Sequence, residues 1–225
     1  MACKSGFERK TPQKISRHPL ERSDLNIVYV FVVGDKSTGK TTLINSLTTR
    51  RISDPLLPSF QYVSEYNHMT DVGLITLRLL ELNREQLSLP EILQVCQAAK
   101  HVFLFVYAID DLVGFQCFYT KWIMYVRRAF GWTAATVMLG NKIDLKNDPN
   151  FKINNPDYND TLSHYNKKLF NVDCAFECSV LTGDQVDSVF CKIAMLGNET
   201  RPLRKQLTLE EHFKILDKSK KLMLI

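Results

Sequence analysis

The stretch GDKSTGKT at residues 34–41 constrains the fold more than any other part of the chain. It matches the pattern G-x-x-x-x-G-K-[ST], in which backbone amides at the start of a helix surround phosphate groups. The apolar, β-branched run LNIVYVFVV at residues 25–33 precedes it and predicts a buried strand. Because strand, loop and helix follow in the order that this motif needs, we predict a phosphate-binding loop.

The residues of this loop have separate expected roles. Gly34 and Gly39 let the backbone wrap around an anion. Lys40 is expected to reach the β- and γ-phosphates of a nucleotide, and the Thr41 hydroxyl is expected to bind Mg²⁺. The remaining residues predicted to contact the nucleotide here are Asp35, Lys36, Ser37, Thr38 and Thr42.

Length and composition favour one globular domain with tails, since 45% of the 225 residues are hydrophobic and 24% are charged. We divide the chain into a disordered basic arm at 1–23, a nucleotide-binding domain at 24–197 and a tail at 198–225. The arm supplies much of the net charge of +5. No nucleic-acid motif accompanies its basic residues, so we interpret it as solvated and expect no nucleic-acid partner.

The cysteines and the chain ends bear on location. The six cysteines form no C-x-x-C pair and lie mostly in apolar runs, which is typical of reduced core cysteines. We find no signal peptide or membrane-length apolar run and expect a cytoplasmic protein, with nuclear or cytoskeletal association left open. Ala2 and a C-terminus without cysteine predict no lipid anchor and at most weak membrane contact. We expect a chain that is monomeric by itself or part of a complex.

Strands and helices alternate along the sequence. Further strands are predicted at 60–67, 74–82, 102–109, 136–139 and 175–178, with a loop at 48–58. This pattern predicts an α/β fold whose mostly parallel, six-stranded sheet carries helices on both faces. Ligands then bind at the carboxyl ends of the strands, where the phosphate loop lies.

The intervening helices are predicted from their apolar spacing. One begins at Pro90 and is expected to bury Ile92, Leu93, Val95 and Cys96. An aromatic stripe with helical spacing favours a helix packed on the sheet, with the members Phe115, Phe118, Trp122, Tyr125 and Val126. Two more helices are predicted at 158–169 and 184–196.

A second motif, NKID at residues 141–144, follows a predicted strand. The Asp144 carboxylate can accept hydrogen bonds from the N1–H and the amino group of guanine, a donor pair that adenine lacks. Lys142 can lay its stem along the base, and Asn141 can tie neighbouring loops together. The motif therefore predicts that the bound base is guanine.

The segment ECSVL at residues 177–181 completes the predicted pocket. It resembles the E-T-S-A-K segment, in which a backbone amide binds the guanine oxygen. Ser179 and Val180 match the Ser-Ala pair, so the amide remains available. Leu181 replaces the Lys, and the packing of a Lys stem on the base is lost.

With these motifs the chain resembles a small GTPase of the Ras superfamily from about Leu25 to Leu196. Its phosphate loop is similar to the Rab form G-D-S-x-x-G-K-[ST]. The segments at 106–109, 121–123 and 177–179 resemble the amino-terminal GTPase domain of Miro proteins. The resemblance implies the P-loop small GTPase fold, GTP or GDP and Mg²⁺ as ligands, and unidentified effector or scaffold proteins as partners. The subfamily stays open.

The resemblance also implies two switch segments that sense the γ-phosphate. In switch I, Ser59 falls at the interval after Thr41 where the family pattern places a Mg²⁺-binding Thr. Its hydroxyl is expected to bind Mg²⁺ in the triphosphate state, and an ordinary loop serine is the alternative. In switch II the pattern D-x-x-G-Q aligns with ELNRE at residues 81–85. Glu81 replaces the Asp that holds Mg²⁺ through water.

The other departures in these segments concern hydrolysis. Arg84 replaces a glycine whose amide meets the γ-phosphate, and its side chain restricts the backbone. Glu85 replaces the glutamine that orients the attacking water, and its carboxylate is repelled by the γ-phosphate. Gln86 can substitute only if the loop shifts. Lys36 occupies a position where bulk disfavours hydrolysis in this family. Glu85 and Gln86 are the candidate catalytic residues, and we predict slow hydrolysis.

Three functions are compatible with the phosphate loop. The first is a guanine-nucleotide-binding molecular switch with slow GTP hydrolysis. The second is a pseudo-GTPase that serves as a structural protein-interaction module, so enzymatic activity itself stays open. The third, a P-loop kinase, is disfavoured by the NKID motif and by the lack of an arginine-rich lid. Intact binding motifs favour the first.

The tail predicts an amphipathic helix. Thr208 and Glu211 have the spacing of a capping box, and Leu209, Phe213 and Leu216 share one face among basic residues. Packing on its own domain and contact with a partner protein, or secondarily with a membrane, are the alternatives.

Overall fold

A computed structural model of the chain describes residues 26–71, 73–111, 114–115, 118–130, 134–149 and 172–199. The predicted arm at 1–23, the helix predicted at 158–169 and the predicted tail helix lie outside these residues. Among the described residues, no helix combines the length and the apolar composition that a membrane crossing requires.

The described strands form one mixed sheet of seven. In chain order they are β1 (Ile27–Val33), β2 (Arg50–Ile52), β3 (Val63–Thr70), β4 (Gly73–Glu81), β5 (His101–Ala108), β6 (Ala135–Asn141) and β7 (Cys174–Cys178). Their spatial order is β2-β3-β4-β1-β5-β6-β7. Strands β4, β1, β5, β6 and β7 pair in parallel, whereas β3 is antiparallel to both β4 and β2. The predicted α/β class with a mostly parallel sheet is confirmed.

The strand β2 raises the predicted count of six strands to seven. It lies at the edge of the sheet in the segment predicted as a loop, and Arg50 pairs with Glu65 of β3. The Nε atom of Arg50 donates to the Glu65 carboxylate at 2.6 Å. Two arginines in three residues do not predict a strand, and this ion pair explains why the segment joins the edge.

Helices cover both faces of the sheet, as predicted. They are α1 (Lys40–Leu47), α2 (Pro90–Ala98), α3 (Met124–Phe130) and α4 (Val186–Asn198). Side chains of β1 alternate between two apolar clusters, because successive residues of a strand face opposite sides. One face packs against α2 and α3 and the other against α1 and α4. Such a strand is apolar throughout, which is why LNIVYVFVV has no polar alternation.

Two local predictions differ from the structure. In α2, Ile92 and Val95 are buried, but Leu93 is exposed and Cys96 is half-buried, because a helix turns only one face to the sheet. The strand predicted from Phe60 begins at Val63. Two turns precede it, in which the Leu57 amide donates to the Asp54 carbonyl and the Phe60 amide donates to the Leu57 carbonyl.

The aromatic stripe is interrupted by a π turn at Tyr119–Ile123, which precedes α3. Phe118, Trp122 and Val126 are buried against the sheet, as predicted, and the Phe118 ring centroid lies 5.7 Å from that of Phe105. A π turn contains one residue more than an α-turn and frequently marks a functional site. This one borders the phosphate loop.

Candidate functional site

The phosphate loop joins the end of β1 to the start of α1, in the order that the motif predicts. Its glycines are needed for close approach. A Cβ on Gly34 would lie 2.1 Å from the Val106 carbonyl oxygen of β5. Gly39 has a φ of 90°, and a Cβ there would lie 2.2 Å from the Asn141 side-chain nitrogen. Any other residue at these two positions would push the loop away from the neighbouring strands.

The side chains of the loop have different environments. Lys40 is buried, and its Nζ donates to the Asp35 carbonyl at 2.6 Å and lies 3.5 Å from Glu81 Oε1. The Lys40 amine is therefore held against the loop that would surround a phosphate. Thr38 is buried, whereas four predicted contact residues of the loop are exposed, namely Lys36, Ser37, Thr41 and Thr42.

The structure brings together two of the three predicted metal ligands. The Thr41 hydroxyl donates to Glu81 Oε2 at 2.5 Å. A hydroxyl and a carboxylate oxygen are the hard ligands that Mg²⁺ prefers, so this pair fits the ion. Ser59 is placed differently, since its backbone amide donates to Glu91 Oε2 of α2 at 3.2 Å. Among the described residues, Ser59 makes no hydrogen bond to Thr41 or to Glu81 in this arrangement.

A cavity of about 1020 Å³ extends from the phosphate loop to switch II and the π turn. Its charged lining residues are Asp35, Lys36, Lys40, Glu81, Arg84, Glu85, Asp111 and Lys121. Basic and acidic side chains are equal in number in this lining. A polyphosphate bound here would therefore gain from a divalent cation beside Thr41 and Glu81.

Switch II forms a closed turn between Asn83 and Gln86. The Asn83 amide donates to Gln86 Oε1 at 2.9 Å, and the Gln86 amide donates to Asn83 Oδ1 at 2.8 Å. Both candidate catalytic residues, Glu85 and Gln86, line the cavity. The Gln86 side chain caps the turn. It can orient the attacking water, as the family's glutamine does, only if its two hydrogen bonds with Asn83 break.

Arg84 attaches switch II to the π turn and α3. Its guanidinium carbon lies 5.9 Å from the Trp122 ring centroid and 5.5 Å from that of Tyr125. Its Nη2 donates to the Lys121 carbonyl at 2.5 Å, and the Tyr125 hydroxyl donates to the Arg84 carbonyl at 3.3 Å. Cation–π contacts and a charge-assisted hydrogen bond therefore hold the residue that replaces the family's glycine.

The π turn also contacts the phosphate loop. Lys121 Nζ lies 2.7 Å from Asp35 Oδ1, and Trp122 Nε1 donates to the same oxygen at 3.1 Å. Sequence reasoning missed Lys121 and Trp122 as site residues, since a Trp in an aromatic stripe indicates a core position. No pattern in the sequence indicates that these two residues reach Asp35.

On the base side, Asn141 joins two loops. It is buried, its Nδ2 donates to the Thr38 carbonyl at 2.9 Å, and its Oδ1 accepts from the Val180 amide at 3.2 Å. This is the tying role that the NKID motif predicts. The Val180 amide, which was expected to be available to a guanine oxygen, is engaged by Asn141 here. Burial raises the pKa of the adjoining Cys178 thiol to about 12, so the thiol is neutral beside Asn141.

The remaining base-site residues are held by side-chain contacts. Asp144 Oδ1 accepts a hydrogen bond from the buried Ser179 hydroxyl at 2.5 Å. Lys142 Nζ lies 3.0 and 3.1 Å from the Asp110 carboxylate oxygens, which fixes the end of its stem. Leu181 is 84% exposed and packs against little of the fold. Asp144 and Lys142 are thus oriented before any base binds.

Comparisons with known proteins agree with this geometry. Residues 29–197, more than half of the chain, match the Ras family. The chain is also 24% identical over 161 residues to the protein named "Probable mitochondrial Rho GTPase gemA" of Dictyostelium discoideum. That alignment covers 70% of this chain and 24% of the relative, so the chain spans about a quarter of the relative's length. The strand–loop–helix order, the sheet and the family match agree, and the chain belongs to the Ras family of small GTPases.

Proposed function

We propose that this small GTPase is a molecular switch that binds GTP and GDP with Mg²⁺ and hydrolyses GTP slowly. Family membership implies guanine-nucleotide binding. The observation that supports it most strongly is the pair of Asn141 hydrogen bonds to Thr38 and Val180. They connect the phosphate side to the base side, so one ligand with a base and phosphates can occupy both.

In this proposal different residues of the chain bind the base, the phosphates and the metal. Asp144, oriented by Ser179, accepts hydrogen bonds from guanine, and Lys40 faces the phosphates. Thr41 and Glu81, which are hydrogen-bonded to each other, would hold Mg²⁺, and Ser59 would join them in the triphosphate state. Mg²⁺, when bound, neutralises charge on the β- and γ-phosphate oxygens.

Slow hydrolysis follows from switch II. Glu85 presents a carboxylate where the family has a neutral amide. The carboxylate repels the γ-phosphate, and it has no N–H group to donate to a phosphate oxygen. Gln86 is committed to the Asn83 turn. Arg84 is held on the π turn, so a shift of the loop that would bring Gln86 forward has to break the Arg84 contacts.

One observation favours a second function, that of a pseudo-GTPase serving as an interaction module. The same Arg84 contacts join switch II to the π turn and α3 through protein groups alone, which suits a surface of fixed shape. In either function the partners are effector or scaffold proteins that recognise the switch segments.

The deciding experiment has two steps. Purified full-length protein is denatured, and the released nucleotide is identified by chromatography. GTP-loaded protein is then followed through a single turnover. The proposal expects GDP or GTP in the first step and a slow but measurable rate, abolished by EDTA, in the second. Nucleotide without any hydrolysis supports the second function, and absence of nucleotide contradicts the first.

We propose a cytoplasmic location. The relative is named as mitochondrial, which makes the mitochondrion the competing location for this chain. Imaging of a tagged full-length chain together with a mitochondrial marker separates the two.

A further inference from the structure

A buried ionic cluster holds the segment that precedes Ser59. Asp54 is 2% exposed although it lies between α1 and β3 in a segment of turns. Its Oδ2 accepts from the Tyr29 hydroxyl at 2.8 Å and from Arg78 Nη1 at 2.9 Å. Its Oδ1 accepts from the Leu56 amide at 2.9 Å. Every hydrogen bond to this carboxylate therefore fixes the segment to the sheet or to itself.

The cluster has a second carboxylate that belongs to the sheet alone. Glu65 of β3 is 1% exposed and pairs with Arg50 of β2 at 2.5 Å and with Arg78 of β4 at 3.6 Å. Arg78 thus lies between two buried acids, of which only Asp54 belongs to the segment before Ser59. Removing one partner of a buried pair costs far more than weakening an exposed one.

Apolar packing reinforces the same attachment. Leu57 is fully buried in the core cluster that also contains Leu82 and Ile92. The Leu57 amide donates to the Asp54 carbonyl at 3.0 Å. The chain is therefore fixed at two points, Asp54 and Leu57, the second only two residues before Ser59. Ser59 itself is held on Glu91 of α2 through its amide.

We propose that Asp54 and Arg78 are positioning residues that set the preference of the site between GDP and GTP. They hold the segment 54–60, here called the switch I anchor, so that Ser59 stays away from Thr41 and Glu81. This inference rests on the proposed function, since Ser59 serves as a Mg²⁺ ligand in the triphosphate state. Binding of GTP then requires release of the anchor, and binding of GDP does not.

Holding Ser59 in this position lowers the apparent affinity of the site for GTP. A ligand that needs a sparsely populated arrangement loses apparent affinity in proportion to that population. Because only the triphosphate state uses Ser59, the anchor weakens GTP binding and leaves GDP binding unchanged. A variant with a weaker anchor therefore gains affinity for the triphosphate selectively, which a general loss of stability does not produce.

The test measures the dissociation constants of GDP and of the non-hydrolysable triphosphate GppNHp, with Mg²⁺, on the full-length chain. Asp54→Asn removes the charge that Arg78 and Tyr29 bind. We expect the ratio of the GppNHp constant to the GDP constant to fall about tenfold. The matched control is Glu65→Gln, which alters the same Arg78 pair inside the sheet but does not touch the anchor. It should lower the melting temperature and leave the ratio unchanged.

The same comparison in a chain that carries Ser59→Ala makes the test specific to the Ser59 hydroxyl. In a Ser59→Ala chain, Asp54→Asn should no longer change the ratio, since the anchor acts through that hydroxyl. An unchanged ratio in Asp54→Asn alone, or the same change with and without Ser59, overturns the inference while the proposed function stands. Failure of the unmodified chain to bind GDP contradicts the proposed function itself.

A measurement on the unmodified chain covers the case in which Asp54→Asn does not fold. Hydrogen exchange of the Leu56 and Leu57 amides is compared between GDP–Mg²⁺ and GppNHp–Mg²⁺. We expect these two amides, which donate to Asp54, to exchange at least about tenfold faster with GppNHp, because release of Asp54 from Tyr29 and Arg78 exposes this buried turn and its two local hydrogen bonds to water. Equal protection in the two states overturns the inference.

Discussion

Asn141→Ala is the perturbation whose effect can be worked out most fully from the structure. The side chain is 3% exposed and makes hydrogen bonds to the Thr38 carbonyl and from the Val180 amide. Each bond contributes about 1 kcal/mol net, and each buried partner left unpaired costs about 1–3 kcal/mol. If water reaches part of the gap, the loss of stability is about 2–4 kcal/mol. For a domain of this size, that loss lowers the melting temperature by about 4–16 °C.

The assay is thermal unfolding of nucleotide-free protein, followed by titration with fluorescent GDP. Asn67→Ala is the matched control, because Asn67 is exposed and accepts one hydrogen bond from Thr76 at the surface of the sheet. A surface change of this kind should alter stability by less than about 0.5 kcal/mol. The claim that this side chain joins the two halves of the site would be refuted if Asn141→Ala melted within about 1 °C of the unmodified chain, as the control is expected to do.

Three further predictions address the metal, hydrolysis and the thiols. Thr41→Asn should weaken Mg²⁺-dependent GTP binding about tenfold more than GDP binding, and equal losses in calorimetric titrations would argue against Thr41 as a ligand. Arg84→Gly combined with Glu85→Gln should release switch II and raise single-turnover hydrolysis about tenfold; no gain would place the defect elsewhere, with Lys36 the next residue to test. Burial raises the pKa of Cys178 and of Cys96 to about 12 from an ordinary value of 9.0. The unfolded chain then releases these protons first, so the stability they contribute is complete below pH 9 and declines as the pH rises toward 12. Urea unfolding at pH 8 and pH 10.5 checks this, and equal midpoints would contradict it.

Much of the fold was predictable because it depends on local patterns. The runs that became β1 and β5 are apolar on both faces, and the phosphate loop specifies a strand before it and a helix after it. By contrast, β2 was not predictable from Arg50 and Arg51, since its pairing depends on a carboxylate supplied by β3. The π turn was missed because the aromatic stripe keeps a nearly helical spacing even with one extra residue in the turn.

The site was predicted in part for the same reason. Motifs predict residues that touch a ligand, and the structure links the phosphate loop to the NKID segment through the Asn141–Thr38 hydrogen bond. The contacts that constrain the switches join residues distant in sequence. Trp122 meets Asp35 across 87 positions, and no pattern in either segment indicates the pairing.

Asp54 is the clearest case of a residue whose environment the sequence does not predict. An Asp beside a Pro in a loop predicts a solvated turn. The structure buries it between Tyr29 and Arg78, and burial together with the Asp54 hydrogen bond raises the pKa of Tyr29 to about 12. Burial of that carboxylate becomes evident only when the strands that supply its partners are in place.

The most direct test of the central claim, that this site binds guanine nucleotides, is the base preference of Asp144→Asn. Fluorescent GDP and XDP are titrated into the unmodified chain and into the variant. Because the Asn amide turns a donor toward guanine's donors, GDP affinity should fall by at least about a hundredfold, and XDP affinity should rise. A variant that keeps the GDP preference of the unmodified chain would contradict the assignment of Asp144 as the residue that reads the base.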